Sequence, residues 1–215
     1  MIGIDAGLGI AAVALAMVLT PGPNMIYLVS RSITQGRLAG LISLLGVAAG
    51  FFLYLLAAVT GVSAVFALVP AMYTALKIAG ACYLLWLAWS AVKPGGRSAF
   101  APKDLPVDGP RKLFTMGLVT NLLNPKIAVL YVSLLPQFID LDKGGVGGQS
   151  LALGLIQITV ALTVNCLIVL TAGSVASFLA RKPAWLRAQR YTMGAVLIGL
   201  AASMAFDRTH ASAPR

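Results

Sequence analysis

Two tracts interrupt apolar sequence with residues able to hold a charged solute: Thr20-Pro21-Gly22-Pro23-Asn24 and Asn121-Leu122-Leu123-Asn124-Pro125-Lys126. Their chemistry is binding rather than bond breaking. Pro21 and Pro23 carry no amide hydrogen, so the carbonyls of Met17 and Leu19 lose their helical partners. Each proline also drives its predecessor, Thr20 or Gly22, out of helical dihedrals. The first tract should therefore unwind for about one turn (3.6 residues) and present free carbonyl acceptors. In the second, Asn124 is a favoured N-cap and Pro125 a favoured first helical residue, which predicts a half-helix starting at Pro125. Its positive end, with Lys126 adding a full charge, suits an anionic group. Thr120 and Asn121 lie beside the same break.

These tracts sit in a chain with too few charges for a water-facing surface. Of 215 residues, 59% are hydrophobic and 10% charged, against about 25% charged in soluble domains. A crossing needs roughly 20 apolar residues. Six runs of about that length or longer are expected, at about 6–30, 38–60, 63–92, 112–138, 150–179 and 190–206. The breaks are Arg31 to Arg37, a weak turn around Gly61 or Pro70, Lys93 to Lys112, Asp140 to Gln149, and Arg181 to Arg190. The first run lacks a basic stretch before it and a cleavage site after it, so it is read as a retained helix and not as a signal peptide.

The net charge of +10 does not indicate nucleic acid, because the basic residues cluster in the connections. Arg31, Arg37, Lys93, Arg97, Lys103, Arg111, Lys112, Arg181, Lys182, Arg187 and Arg190 fall on one side of a six-span layout, with Lys143, Arg208 and Arg215, plus Lys77 near a helix end, on the other. The positive-inside rule then puts the basic loops in the cytoplasm and both termini outside. Cys82 and Cys166 lie in apolar stretches without metal-ligand spacing, and neither a metal nor a cofactor is expected.

In lipid, freed backbone groups persist only inside protein or along a wet cavity. Two readings of the prolines remain, a cavity-lining break and a kink healed by neighbouring helices. Lysine at a helix centre costs about 2.5–3.5 kcal/mol, so Lys126 should face a cavity or a partner. Snorkelling would have to span about a dozen residues in either direction. The run from Pro23 to Ser30 echoes that from Pro125 to Ser133, and Gly40-Leu41-Ile42 echoes Gly154-Leu155-Ile156. Units of three spans must be inverted, a plan that places substrate near the midplane between interrupted helices. The expected fold is all-α: a polytopic membrane protein of six transmembrane helices, an inverted 3+3 repeat with proline-broken helices 1 and 4. It forms a single transporter domain over 1–215, with repeat one about 1–92, a cytoplasmic loop 93–112, repeat two about 113–206 and a tail 207–215.

Thr20 to Asn24, Arg31 to Gly40, Gly46, Gly50, Gly80 to Leu84, Asn121 to Lys126 and Leu135-Pro136-Gln137-Phe138 resemble the signature of the LysE/RhtB amino-acid exporter family over nearly the whole chain. The resemblance implies a bacterial inner-membrane carrier that moves amino acids or derivatives outward, driven by the proton gradient. The RhtB-like branch, with neutral substrates such as homoserine, threonine and leucine, looks nearer than the lysine/arginine branch. The run Gly50-Phe51-Phe52-Leu53-Tyr54 departs from a family tendency towards a polar or titratable residue there.

For a free amino acid, Lys126 and the helix start at Pro125 are the candidates for the carboxylate. The carbonyls freed by Pro21 and Pro23, with the Asn24 amide, are the candidates for the ammonium. In span five, Thr159 and Thr163 share a face. Asn165 is open between a binding role and an interhelical hydrogen bond. Tyr83 stays open as a cavity residue, while Trp86 and Trp89 fit an interfacial belt. Gly46 and Gly50 permit close helix approach, within the chain or in a homodimer. With the acids in loops or near the ends, Lys126 is the intramembrane titratable group available for proton coupling. A membrane enzyme is disfavoured because no nucleophile–base pair or metal motif lies in the spans. An exporter of another small solute, or a passive channel or scaffold, remains a rival that flux measurements separate.

Overall fold

The computed structural model describes residues 2–68, 78, 81–82, 84–86, 88–89, 93, 107–180, 191, 194–195, 198–199 and 201–202. These are all-helical, with no strand among the described residues. Helix α1 (Ile4–Leu19) and α2 (Pro23–Gln35) form one rod bent by 55°. A single residue, Gly36 at φ +88°, then turns the chain into α3 (Arg37–Leu68). Helix α4 (Pro110–Leu122) and α5 (Pro125–Val129) begin the second bent rod, which continues through a π turn (Leu130–Leu134) and a 3-10 turn (Leu135–Phe138). Its bend is 50°. Gly144 and Gly145, both at positive φ, lead into α6 (Val146–Ala180).

The bends follow from proline chemistry. Thr20 (ψ 125°), Gly22 (ψ −179°) and Asn124 (ψ 105°) each precede a proline and are extended, as the proline ring requires. Pro23 and Pro125, matched in the sequence echo, each start a helix.

Arg37–Gly61 and Val146–Ser174 are each long and apolar enough to cross a membrane, with mean hydropathy 2.3, and each bent rod passes the same test with its two pieces taken together, as a broken span or a re-entrant loop. Their outward faces carry Leu45, Phe52, Leu56, Leu155 and Leu167, all exposed. Such a surface needs lipid rather than water. Inside, Ile10, Val13, Met17, Val47, Phe51, Leu55, Leu130 and Leu153 form one core.

Helix α3 packs along α4 and α6, and α1 packs along α6. The α3–α4 seam is close because it is built on glycine. A Cβ on Gly46 would strike the Phe114 carbonyl, one on Gly117 the Ser43 carbonyl, and one on Gly50 the Asn121 side chain. The small pair Gly46 and Gly50 is therefore used within the chain.

Several boundaries differ from the sequence reading. Arg31 is not in a polar turn but buried in α2. α3 runs through Gly61 without a break; Pro70 lies outside the described residues. Gly147 and Gly148 belong to α6 rather than to the loop before it. Of the third and sixth expected spans, only scattered positions are described, and those from 78 to 89 and from 191 to 202 are helical.

Candidate functional site

The two bends meet at Lys126. Its side chain, 5% exposed, leaves the start of α5 and reaches the end of α1. There Nζ donates to the Met17 and Thr20 carbonyls, 2.7 Å each. The Met17 carbonyl lacks a helical partner because Pro21 has no N–H, and α1 stops just before Thr20. The ammonium therefore caps the negative end of a 16-residue helix. The sequence anticipated free carbonyls at Met17 and Leu19; the pair taken is Met17 and Thr20.

Gly22 explains how the lysine comes so near. A Cβ there would lie 3.0 Å from Nζ and 3.3 Å from Cε. Its φ of −164° is ordinary extended backbone, so the requirement is space and not conformation. Thr20 is buried and donates through Oγ1 to the Ala16 carbonyl (2.8 Å). Asn124 accepts at Oδ1 from the Lys126 amide (3.1 Å), the cap expected of it. The helix it caps has only five α residues before the π turn, too short a stack of peptide dipoles to form an anion site. The positive charge at this break is the lysine itself.

A narrow cleft of about 20 Å³, room for about one water and partly open to the outside, adjoins the ammonium. Its polar lining is Lys126, Asn24, Gln157 and Asn165. Met17, Val18, Met25, Phe51 and Leu130 supply much of the apolar wall. A mainly apolar lining with a few converging polar groups is the usual form of small-molecule sites, and this cleft must widen to admit more than a water.

The expected site residues divide into three groups. Asn24, Lys126 and Asn165 line the cleft, while Thr20, Gly22 and Asn124 shape its edge through Lys126. Pro21, Pro23 and Pro125 act through the backbone breaks; Pro23 and Pro125 are exposed. Asn121 lies apart from the cleft lining, fully buried against Gly50. Tyr83 is outside the described residues.

Asn165 donates through Nδ2 to Ala161 on its own helix (2.8 Å), and no interhelical bond from it is found among the described residues. Thr159 and Thr163 face outward, and Thr159 bonds back to Leu155 (2.8 Å). The inward face of α6 is instead Gln157, Ala161 and Asn165, spaced by four residues. Gln157 went unnoticed in the sequence, although a glutamine in an apolar span is itself a signal. Its Oε1 accepts from the buried Tyr131 hydroxyl at 2.7 Å. The Tyr131 ring stacks on Tyr54 with centroids 5.5 Å apart, and the Tyr54 hydroxyl donates to Leu122 (2.8 Å).

Some buried polar atoms at the breaks have no partner among the described residues: Asn24 Oδ1, Asn124 Nδ2, and both amide atoms of Asn121. Buried groups of this kind normally find protein or water.

Away from the cleft, Arg31 on α2 pairs with Asp108 just before α4 (2.5 Å), both side chains buried. Lys112 joins the same carboxylate at 2.7 Å, and Gln35 donates to the Asp108 carbonyl at 3.0 Å. The hydrogen bond from Lys112, then the charge of Arg31, hold the Asp108 carboxyl below its usual range against its desolvation.

The LysE type translocator family pattern matches residues 15–208. The uncharacterized membrane protein YrhP of Bacillus subtilis is 30% identical over 165 residues, covering 70% of this chain and 75% of the relative. A leucine efflux protein of Enterobacter is 28% identical over 196 residues, 89% of this chain and 91% of the relative. One from Klebsiella pneumoniae is 25% identical over 199 residues, with the same coverage on both sides. No solved structure matches significantly. Both proline breaks and the lysine between them fall within the matched stretch, and the chain belongs to the LysE type translocator family of membrane proteins.

Proposed function

We propose that the chain exports neutral amino acids with apolar side chains, leucine-like in size, from the bacterial cytoplasm across the inner membrane. The observation that carries this reading is the Lys126 ammonium set between two broken helices beside a mostly apolar cleft. Lys126 receives the carboxylate. The unpartnered oxygen of Asn24 accepts from the ammonium, a role it can take by rotating its amide towards the cleft. Met17, Val18, Met25, Phe51 and Leu130 line the space that widens to take the side chain. Of the two carbonyls first assigned to the substrate ammonium, that of Met17 is held by Lys126 itself, so Asn24 takes over that part. Relatives named leucine efflux protein support the substrate class.

The carrier has six spans in an inverted repeat, with basic loops in the cytoplasm and both termini outside. The packing supports the repeat: exchanging the two halves carries α3 against α4 onto α6 against α1, and both contacts exist. Transport is driven by protons, with Lys126 alternating between proton and substrate as the intramembrane titratable group.

A panel of sensitive bacteria expressing the protein, each challenged with one amino acid in excess, tests the substrate. Resistance and outward flux confined to leucine, isoleucine, valine and methionine are expected. Protection against lysine and arginine alone would overturn the assignment. For coupling, efflux from proteoliposomes is followed across pH for Lys126→Ala, Lys126→Met and Lys126→Arg. Loss of the pH dependence is expected; wild-type pH profiles in all three would remove Lys126 from the proton path.

A further inference from the structure

We infer that Gln157 is a specificity-determining residue: its amide N–H, aimed by the Tyr131 hydroxyl, reads the substrate carboxylate together with Lys126 and so selects free amino acids over their amides and esters. This rests on the amino-acid reading proposed above and adds the group that recognises the acid end.

A glutamine amide has a donor end and an acceptor end, and either can point at a ligand. Here the choice is made by the protein. Tyr131 donates to Oε1, which commits that atom and leaves Nε2, the donor, for whatever occupies the cleft that Gln157 lines. Tyr131 is itself fixed at both its ring and its hydroxyl. The ring is stacked on Tyr54, which is anchored on Leu122 at the end of α4. The alignment therefore runs from the second bend, through α3, to α6.

Tyr131 also stands in the π turn that follows Lys126. Such turns cluster at functional positions because they re-aim side chains. Lys126 and Gln157 thus supply two donors to one cleft, from different elements. A carboxylate accepts from both. A primary amide offers a single oxygen and brings a donor of its own, so it cannot satisfy them equally. Burial raises the discrimination: Gln157 is 1% exposed, and water does not readily replace a missing acceptor there.

The test uses the full-length carrier in proteoliposomes, with labelled leucine as substrate and leucinamide and leucine methyl ester as competitors. In the wild type, leucine should compete far better than either derivative. Gln157→Leu should raise the half-saturating leucine concentration by about 10- to 100-fold, the worth of one hydrogen bond to a charged group. Leucinamide competition should hardly change. Gln157→Glu retains an acceptor for Tyr131, so a merely structural glutamine would tolerate it; here it should lose leucine and gain leucinamide. Tyr131→Phe frees the amide to rotate and should give a smaller loss of the same discrimination.

Unchanged leucine-to-leucinamide ratios in both Gln157 variants would overturn the inference. So would a wild type in which leucinamide competes as well as leucine, a result that needs no variant. A wild type that carries no leucine-like amino acid at all would instead remove the proposed substrate class beneath it.

Discussion

At the scale of single residues, the site depends on Lys126 doing two jobs, capping a broken helix and carrying charge into the cleft. Removing it changes both in opposite directions. Lys126→Met removes the donor to the Met17 and Thr20 carbonyls, at up to about 1–3 kcal/mol each, but relieves about 2.5–3.5 kcal/mol of lysine burial. The two effects largely offset, so the variant should stay folded in detergent, within about 3.5 kcal/mol of the wild type's stability, while losing transport. A collapse in melting temperature would show the lysine to be mainly structural. Gly22→Ala acts more gently, because only the flexible end of the lysine stands in the way. It should fold normally and slow transport about tenfold, the cost of displacing one charged hydrogen bond. The proline breaks and the lysine were legible in the sequence because their effects are local. Gln157 and Tyr131 were not, because which face of α6 turns inward is decided by packing. The sequence grouped Thr159 and Thr163 on one face and left Asn165 open; the threonines face away while Asn165 lines the cleft.

At the scale of elements, glycine separates contact from tolerance along α3. Gly46→Ala drives a Cβ into the Phe114 carbonyl and should cost about 1–3 kcal/mol as overpacking. Gly61→Ala, in the same helix with open space around it, should stabilise by about 0.5–1 kcal/mol. Thermal melts of the two variants should move in opposite directions. Of the two positions at which a break was expected, Gly61 or Pro70, Gly61 does not end the helix, because glycine weakens one by only about 1 kcal/mol.

The Arg31–Asp108 pair ties α2 to the start of α4, and its stability has a definite sign with pH. Because the Asp108 pKa is lowered on folding, its contribution is complete above the ordinary carboxylate range and is lost as pH falls through the lowered value. Acid should lower the melting temperature of the wild type more than that of Asp108→Asn. Asp108→Asn should also destabilise more than Lys112→Ala, because Arg31 is buried while Lys112 is exposed. Sequence alone put both Arg31 and Asp108 in connections. What it lacked was their partnership, which closes over 77 residues.

At the scale of the whole molecule, the membrane character was plain from composition, and the outward leucines and phenylalanines of α3 and α6 agree with it. Arg31 and Lys112, assigned to one side by charge, meet at Asp108, which is consistent with that assignment. In a background with Cys82 and Cys166 replaced by serine, Arg111→Cys should label with an impermeant maleimide only in inverted vesicles. Lys143→Cys should label only in intact cells after the outer membrane is made permeable. Labelling of both from one side would refute the proposed orientation.

The central claim is that a lysine spanning two proline breaks holds the carboxylate of an exported amino acid. Its most direct test is binding of labelled leucine to purified wild type and Lys126→Met, measured by equilibrium dialysis in detergent. Saturable binding by the wild type, lost in the folded Lys126→Met protein, is the predicted result. Equal affinity in the two proteins would contradict it.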